Sequence, residues 1–218
     1  MIQIENTEVI GWEAAIRGMR NPLNSWDKID SYPQDWCEIG PEICCGYHVG
    51  ENDLSLMRKL AVAGPDHRKF MRMLVVDADI TAPLYWWKEF DTYKVGAVAN
   101  SCSTMHTIHT KPITLDDFST DGTGNVSALV LEETIGFLED LRKKYLETKD
   151  RQWWRALIQL LPSSYNQRRT VMLNYEVLAN IYRSRKNHKL DEWRELCKWV
   201  EILPHHELIT GKEGQHED

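Results

Sequence analysis

Residues 69–81, KFMRMLVVDADIT, alternate in polarity and then run apolar, the period-two signal of a strand ending near Thr81. Ala82-Pro83 follows at once, and Pro suits the first turn of a helix, here LYWWKEF. A strand that feeds straight into an aromatic-rich helix commits the chain to mixed α and β structure. The remainder reads as mainly helical. In NDLSLMRKLAVAG, Asn52 is expected to cap a helix that stops at Gly64, with Leu54, Met57, Leu60 and Ala61 on one face. Further helices are expected over roughly 127–148, 151–161, 168–185 and 190–203. Residues 1–50 are irregular, although AAIRGMRNPLNSWDK begins as a helix cut by Asn21-Pro22. Residues 107–124, with Pro112 and Gly122-Thr123-Gly124, read as an exposed loop, and 204–218 as a frayed tail. The fold class is α/β or α+β with a helical majority.

At 218 residues the chain is long enough to bury a core, as one large domain or two small ones. A net charge of −7 gives no support to nucleic-acid binding, although local arginines can still hold a small phosphate. No run approaches the ~18–20 apolar residues of a membrane span, and MIQIENTEVIGWEAA lacks the regions of a signal peptide. Five cysteines without a C-x-x-C pair fit reduced thiols and a cytoplasmic location. His106-x-x-His109 and His205-His206 lack further ligands at helical spacing, so no metal site is expected. Ser101 and Ser103 flank Cys102 outside any G-x-S-x-G elbow, and Cys102 reads as a small buried residue rather than a nucleophile.

The most informative stretch is LIQLLPSSYNQRRTVMLNYEVLANIYRSR, residues 157–185. Asn174 and Asn180 are six apart and Arg185 lies five beyond. At about 100° per helical residue the two asparagines are separated by about 240°, so they share no narrow stripe. They could frame a ligand along the helix. Equally, they could be surface residues, with Arg185 near a helix C-terminus for dipole reasons.

Leu161-Pro162, Asn174, Asn180 and Arg185 fall at the spacings of the C-terminal signature of flavin-dependent thymidylate synthases, which this stretch resembles; DEWRELCKWV resembles that family's closing helix. Upstream, Pro65, His67, Phe70, Ala82 and Pro83 match in order the segment leading to the family's flavin motif. YKVGAVANSCSTMH then covers the motif itself, keeping Asn100 and Ser103 but lacking its arginines. The matched segments cover roughly 40–106 and 155–203.

The resemblance implies a single domain over 1–218 with a mixed sheet flanked by helices and a helix-rich C-terminal half, the flavin-dependent thymidylate synthase-like fold. It implies methylation of dUMP to dTMP, with FAD as cofactor and NADPH and methylenetetrahydrofolate as co-substrates. It also implies a homotetramer. His67, Lys94, Asn100, Asn174 and Asn180 would hold the cofactor. Glu89, Ser101, Ser103 and Arg185 would face a pyrimidine nucleotide. Three arginines expected by the family are here Met105, Ile158 and Glu176, and each lost phosphate partner forfeits roughly 1.5–3 kcal/mol. Lys94, Arg168, Arg169 and Arg183 are candidate replacements, although lysine lacks the planar fork. Glu176 reverses a charge, which argues for a changed ligand. The alternative is a family-fold protein that has lost catalysis and acts as a nucleotide-binding or oligomeric interaction protein.

Overall fold

A computed structural model describes residues 2–34, 43–44, 46–122 and 124–211. In chain order the elements are β1 (Gln3–Ile10), α1 (Trp12–Arg20), the short strands β2 (Tyr32–Pro33), β3 (Ile43–Cys44) and β4 (Tyr47–His48), and α2 (Glu51–Val62). There follow β5 (Val75–Pro83), α3 (Leu84–Phe90), β6 (Val98–Ser101), α4 (Thr104–Thr107), α5 (Asn125–Thr148) and α6 (Arg151–Gln159). The chain closes with β7 (Asn166–Asn174), α7 (Tyr175–Arg185), α8 (Asp191–Val200) and α9 (Glu207–Thr210). Five strands form a sheet in the order β3-β1-β5-β7-β6, with β3 parallel to β1, and β2 pairs antiparallel with β4. Among the described residues no helix is long and apolar enough to cross a membrane. Contacts group the chain into two compact units. The first comprises Met1–Gln3, Thr81–Thr92 and Asn100–Arg169; the second comprises Ile4–Ile80, Tyr93–Ala99 and Thr170–Asp218.

The first unit is built on α5 and α6, whose Ile135, Leu138, Leu141 and Leu157 enclose Ile108, Ile113 and Phe118. The 107–124 segment is therefore not simply an exposed loop, because its apolar residues are core. Its backbone is clipped to α5 as well. Glu139 accepts from the Ile113 amide at 3.1 Å, and Arg142 donates to Glu139 at 2.6 and 2.7 Å and to the His109 carbonyl at 3.2 Å. The Arg142 guanidinium holds the Glu139 carboxyl below its usual range despite partial burial. In α3, Trp86, Trp87 and Phe90 stack mutually at 4.8–5.1 Å between ring centroids and are buried.

In the second unit, Asp53 has no exposed surface and pairs with the buried Arg20 at 2.7 Å. Its second oxygen accepts from the Asp30 and Ser31 amides and the Ser31 hydroxyl at 2.7–3.2 Å. Asp30 in turn accepts from the Asn52 and Asp53 amides, satisfying donors that the start of α2 leaves open. Burial works to raise the Asp30 carboxyl, but those amides hold it below the usual range. Gly50, not Asn52, occupies the cap position. A Cβ there would lie 2.2 Å from the Asp30 carboxyl carbon.

Three strand assignments differ from the sequence reading. Residues 168–174 are strand, not helix: Gln167, Val171 and Leu173 alternate inward along β7, and the helical period begins only at Tyr175. β1 lies in a region that reads as irregular because Thr7 and Val9 alone are buried, and Asn6 adopts φ 52°. The alternation in KFMRMLVVDADIT begins only at Val75, since Arg68–Arg72 form a 3-10 turn. The expected fraying from Pro204 does not hold as far as Gly211. Leu208 and Ile209 are buried, and the Tyr175 hydroxyl donates to the Pro204 carbonyl at 2.5 Å. Residues 212–218 lie outside the described residues.

Asp53→Ala leaves a buried guanidinium unpaired and is expected to cost about 3–5 kcal/mol in urea unfolding. Burial raises the Glu207 carboxyl, but His205, the residue's own amide and Arg58 bring it down to about 2. A depressed carboxylate stabilises the fold above its ordinary value of 4.5 and loses that stabilisation as pH falls toward about 2. Thermal scans of Glu207→Gln are therefore expected to fall less steeply than wild type across that window.

Candidate functional site

In the first unit, the β7 residues Gln167–Arg169 hold both α3 and the loop after β6. The Trp87 indole donates to the Gln167 carbonyl at 2.9 Å. The Arg169 guanidinium lies 4.2 Å over the Trp87 ring and donates to Asp91 at 2.7 Å and to the Gln167 side chain at 3.0 Å. Gln167 then donates to the Cys102 carbonyl at 2.7 Å, while the Cys102 amide donates to the Arg168 carbonyl at 3.0 Å. Arg169 is thus engaged in packing and is not available as a replacement phosphate cation. Cys102 is exposed, contrary to the sequence expectation, because its backbone rather than its thiol is what β7 holds.

Beyond this loop opens a cleft of about 440 Å³, lined by Cys102, Ser103, Lys111, Asp117, Tyr165 and Arg168 among others. Ser103 caps α4, its hydroxyl accepting from the His106 amide at 3.0 Å. Lys111 sits 2.6 Å from Asp117, whose hydrogen bond raises the Lys111 pKa, and burial pushes the Tyr165 hydroxyl up. Ser103 and Arg168 therefore share one concave surface. Asn100 and Ser101 are exposed on β6, and Glu89 is half-buried on α3. Ile158, at the position of an expected arginine, packs against the apolar core.

In the second unit, α7 carries a segment of chain between its two ends. At the N-terminus the buried Asn174 side chain accepts from the Val177 amide at 3.0 Å and donates to the Gly96 carbonyl at 3.4 Å. At the C-terminus Arg185 donates to the Tyr93 hydroxyl at 2.9 Å, its guanidinium 4.6 Å from the Trp193 ring. Residues 93–96 are thereby anchored at Tyr93 and Gly96, and Lys94 between the two anchors is exposed. Gly96 has φ +77°, and a Cβ there would lie 2.7 Å from the Asn174 amide nitrogen. Asn174 and Arg185 each contact this segment, at opposite ends of α7, and Lys94 lies within it. His67 and Asn180 are exposed elsewhere on the unit, and Arg183 faces a different surface of α7.

Glu176 does not stand as a bare charge reversal. It is buried and ion-paired with Arg68, with contacts of 2.8 and 3.0 Å. The pairing satisfies the reversed charge within the protein, which removes the argument for a changed ligand. Sequence reading missed Tyr93, Gly96, Gln167, Lys111 and Tyr165. Only the glycine carried a signal, as a break between aromatic and polar residues. Among the described residues no three His, Cys, Asp or Glu side chains could share a metal ion.

No family model matches the chain, and no curated protein matches it. Solved structures do match in fold. A flavin-dependent thymidylate synthase ThyX from Helicobacter pylori, complexed with FAD and dUMP, superposes with a TM-score of 0.71 at 17% identity. The match covers 96% of this chain and 98% of that one. A second structure of the same enzyme with FAD and dUMP gives 0.69 at 16% identity, covering 97% and 98%. A UMP/dUMP methylase PolB from Streptomyces cacaoi, bound with 5-Br dUMP, gives 0.61 at 12%, covering 97% and 95%. The expected mixed α/β architecture with a helix-rich half is thus the observed one, and it is the fold of flavin-dependent thymidylate synthases.

Asn174→Ala is expected to cost about 0.5–2 kcal/mol through loss of the cap, with Asn174→Asp recovering most of it in chemical denaturation. Gly96→Ala is expected to destabilise by about 1–3 kcal/mol, from the positive φ and the clash with Asn174.

Proposed function

We propose that this chain, carrying the flavin-dependent thymidylate synthase fold over nearly its whole length, is a flavoprotein that binds FAD and methylates a pyrimidine nucleotide. The observation that carries the reading is the end-to-end likeness to enzymes solved with FAD and dUMP. The donor set fits such a ligand. His67, Lys94, Asn100 and Asn180 are exposed, and their side chains have no partner among the described residues. Each is assigned to the cofactor by the sequence resemblance. Asn174 positions Lys94 through Gly96, because its own amide is already occupied.

FAD, when bound, supplies the hydride, with NADPH as reductant and methylenetetrahydrofolate as carbon donor. The chain's own work is to bind and orient. Ser101, Ser103 and Glu89 face the nucleotide, with dUMP the leading substrate, and Arg168 supplies a guanidinium to its phosphate in place of the absent motif arginines. Arg185 faces the nucleotide while anchored on Tyr93 and Trp193. The protein works in the cytoplasm as a homotetramer. Exposed Val126, Leu129, Val130 and Phe137 on α5 support self-association.

A second reading is favoured by the Glu176–Arg68 pair, in which Glu176 takes up a guanidinium that a phosphate site could have used. In that reading the fold is retained for nucleotide binding or assembly without catalysis. Titration with FAD, followed by NADPH oxidation with and without dUMP, separates the two. Flavin uptake with dUMP-dependent oxidation is expected, and Lys94→Ala with Asn180→Ala should weaken FAD at least tenfold. A protein that takes up no FAD overturns the flavoenzyme reading in favour of the second.

A further inference from the structure

A second concave surface lies wholly within the second unit, formed by the last turns of α2, the Arg68 turn, one face of α7 and α9. Its volume is about 620 Å³, within the range of small-molecule sites. Among the described residues, five lining side chains are cationic, Arg58, Lys59, Arg68, Arg183 and Lys186, against a single lining carboxylate, Glu207. In a chain of net charge −7 this is a local reversal of sign.

The cations fall into two groups. Arg58 is held by Glu207 at 3.1 Å, and Arg68 by Glu176 at 2.8 Å, so these two are fixed in the wall. Lys59, Arg183 and Lys186 are exposed and have no carboxylate partner among the described residues; Lys186 only approaches the Tyr182 ring, at 5.8 Å. Three uncompensated cations converging on a concavity focus positive potential there. The floor between them is apolar: Ala179 and Leu208 are buried, and Val62 at the rim is 80% exposed. Tyr182 is held as part of that wall by its hydroxyl bond to Glu201.

This surface is separate from the Asn174–Arg185 face. At about 100° per residue, Asn174 and Arg185 lie within about 20° of each other on α7. Ala179, Tyr182, Arg183 and Lys186 lie between about 80° and 180° away from Asn174.

We propose that this cleft is a second ligand site that takes a small phosphate ester. Its phosphates are held by Arg183, Lys186 and Lys59, and its apolar body rests on Val62, Ala179 and Leu208. The inference is independent of flavin binding. The test is calorimetric titration of the full chain with ADP and with inorganic pyrophosphate, at low and raised salt. Binding of ADP at least tenfold tighter than pyrophosphate, weakening with salt, is expected. The double variant Arg183→Ala/Lys186→Ala should lose at least tenfold in ADP affinity, with an unchanged melting temperature because both residues are exposed. Lys94→Ala/Asn180→Ala, which alters the proposed flavin site, should leave ADP affinity within twofold. Absence of ADP binding, full affinity in the Arg183/Lys186 variant, or loss of affinity in the Lys94/Asn180 variant would each overturn the assignment.

Discussion

A carboxylate sealed from water must be answered by partners, and Asp53 is answered on every side. Arg20 from the end of α1 takes one oxygen, and the Asp30-Ser31 turn takes the other. Because Asp30 also accepts from the first amides of α2, three separate pieces of chain are fixed relative to one another by a single buried charge. Such a pair contributes little net stability against an apolar alternative, but removing one partner is costly, so the geometry is effectively obligatory. The helix that starts there, Glu51–Val62, carries Arg58 and Lys59. The position of the cationic cleft is therefore set about two turns away, by a network that touches no ligand.

The run from Asn166 to Arg185 plays a comparable part for the rest of the molecule. Its strand half supplies hydrogen bonds to Trp87 and Cys102, and its helical half supplies those to Gly96 and Tyr93. Asn174 stands at the change of state. An amide is well suited there, because its oxygen closes the helix start while its nitrogen still has protons to donate across to a neighbouring carbonyl. Aspartate would supply the first function only.

What could be read from the sequence follows from how local each determinant is. Helices α2, α5, α6 and α8 were legible because an apolar face and its breaks lie within a dozen or two residues. The Asn174, Asn180 and Arg185 spacing was legible for the same reason. Their roles were not, since the partners of Asn174 and Arg185 lie 78 and 92 residues away. β7 was read as helix because the period of α7 was carried backward across the cap. β1 gave no clear alternation, since a positive-φ asparagine interrupts it. The 107–124 segment has the composition of a loop, yet it owes its burial to Glu139 and Arg142 on a helix beyond it.

The Arg68–Glu176 pair also bears on how such a chain can change over generations. Each residue is tolerable only in the presence of the other, since either charge alone would be left nearly buried without a counterion. Placing an arginine at 176 by itself would set two guanidiniums face to face. Replacing Arg68 first would instead leave the Glu176 carboxylate nearly buried without its counterion. The two positions, 108 residues apart, are therefore coupled and can change only together.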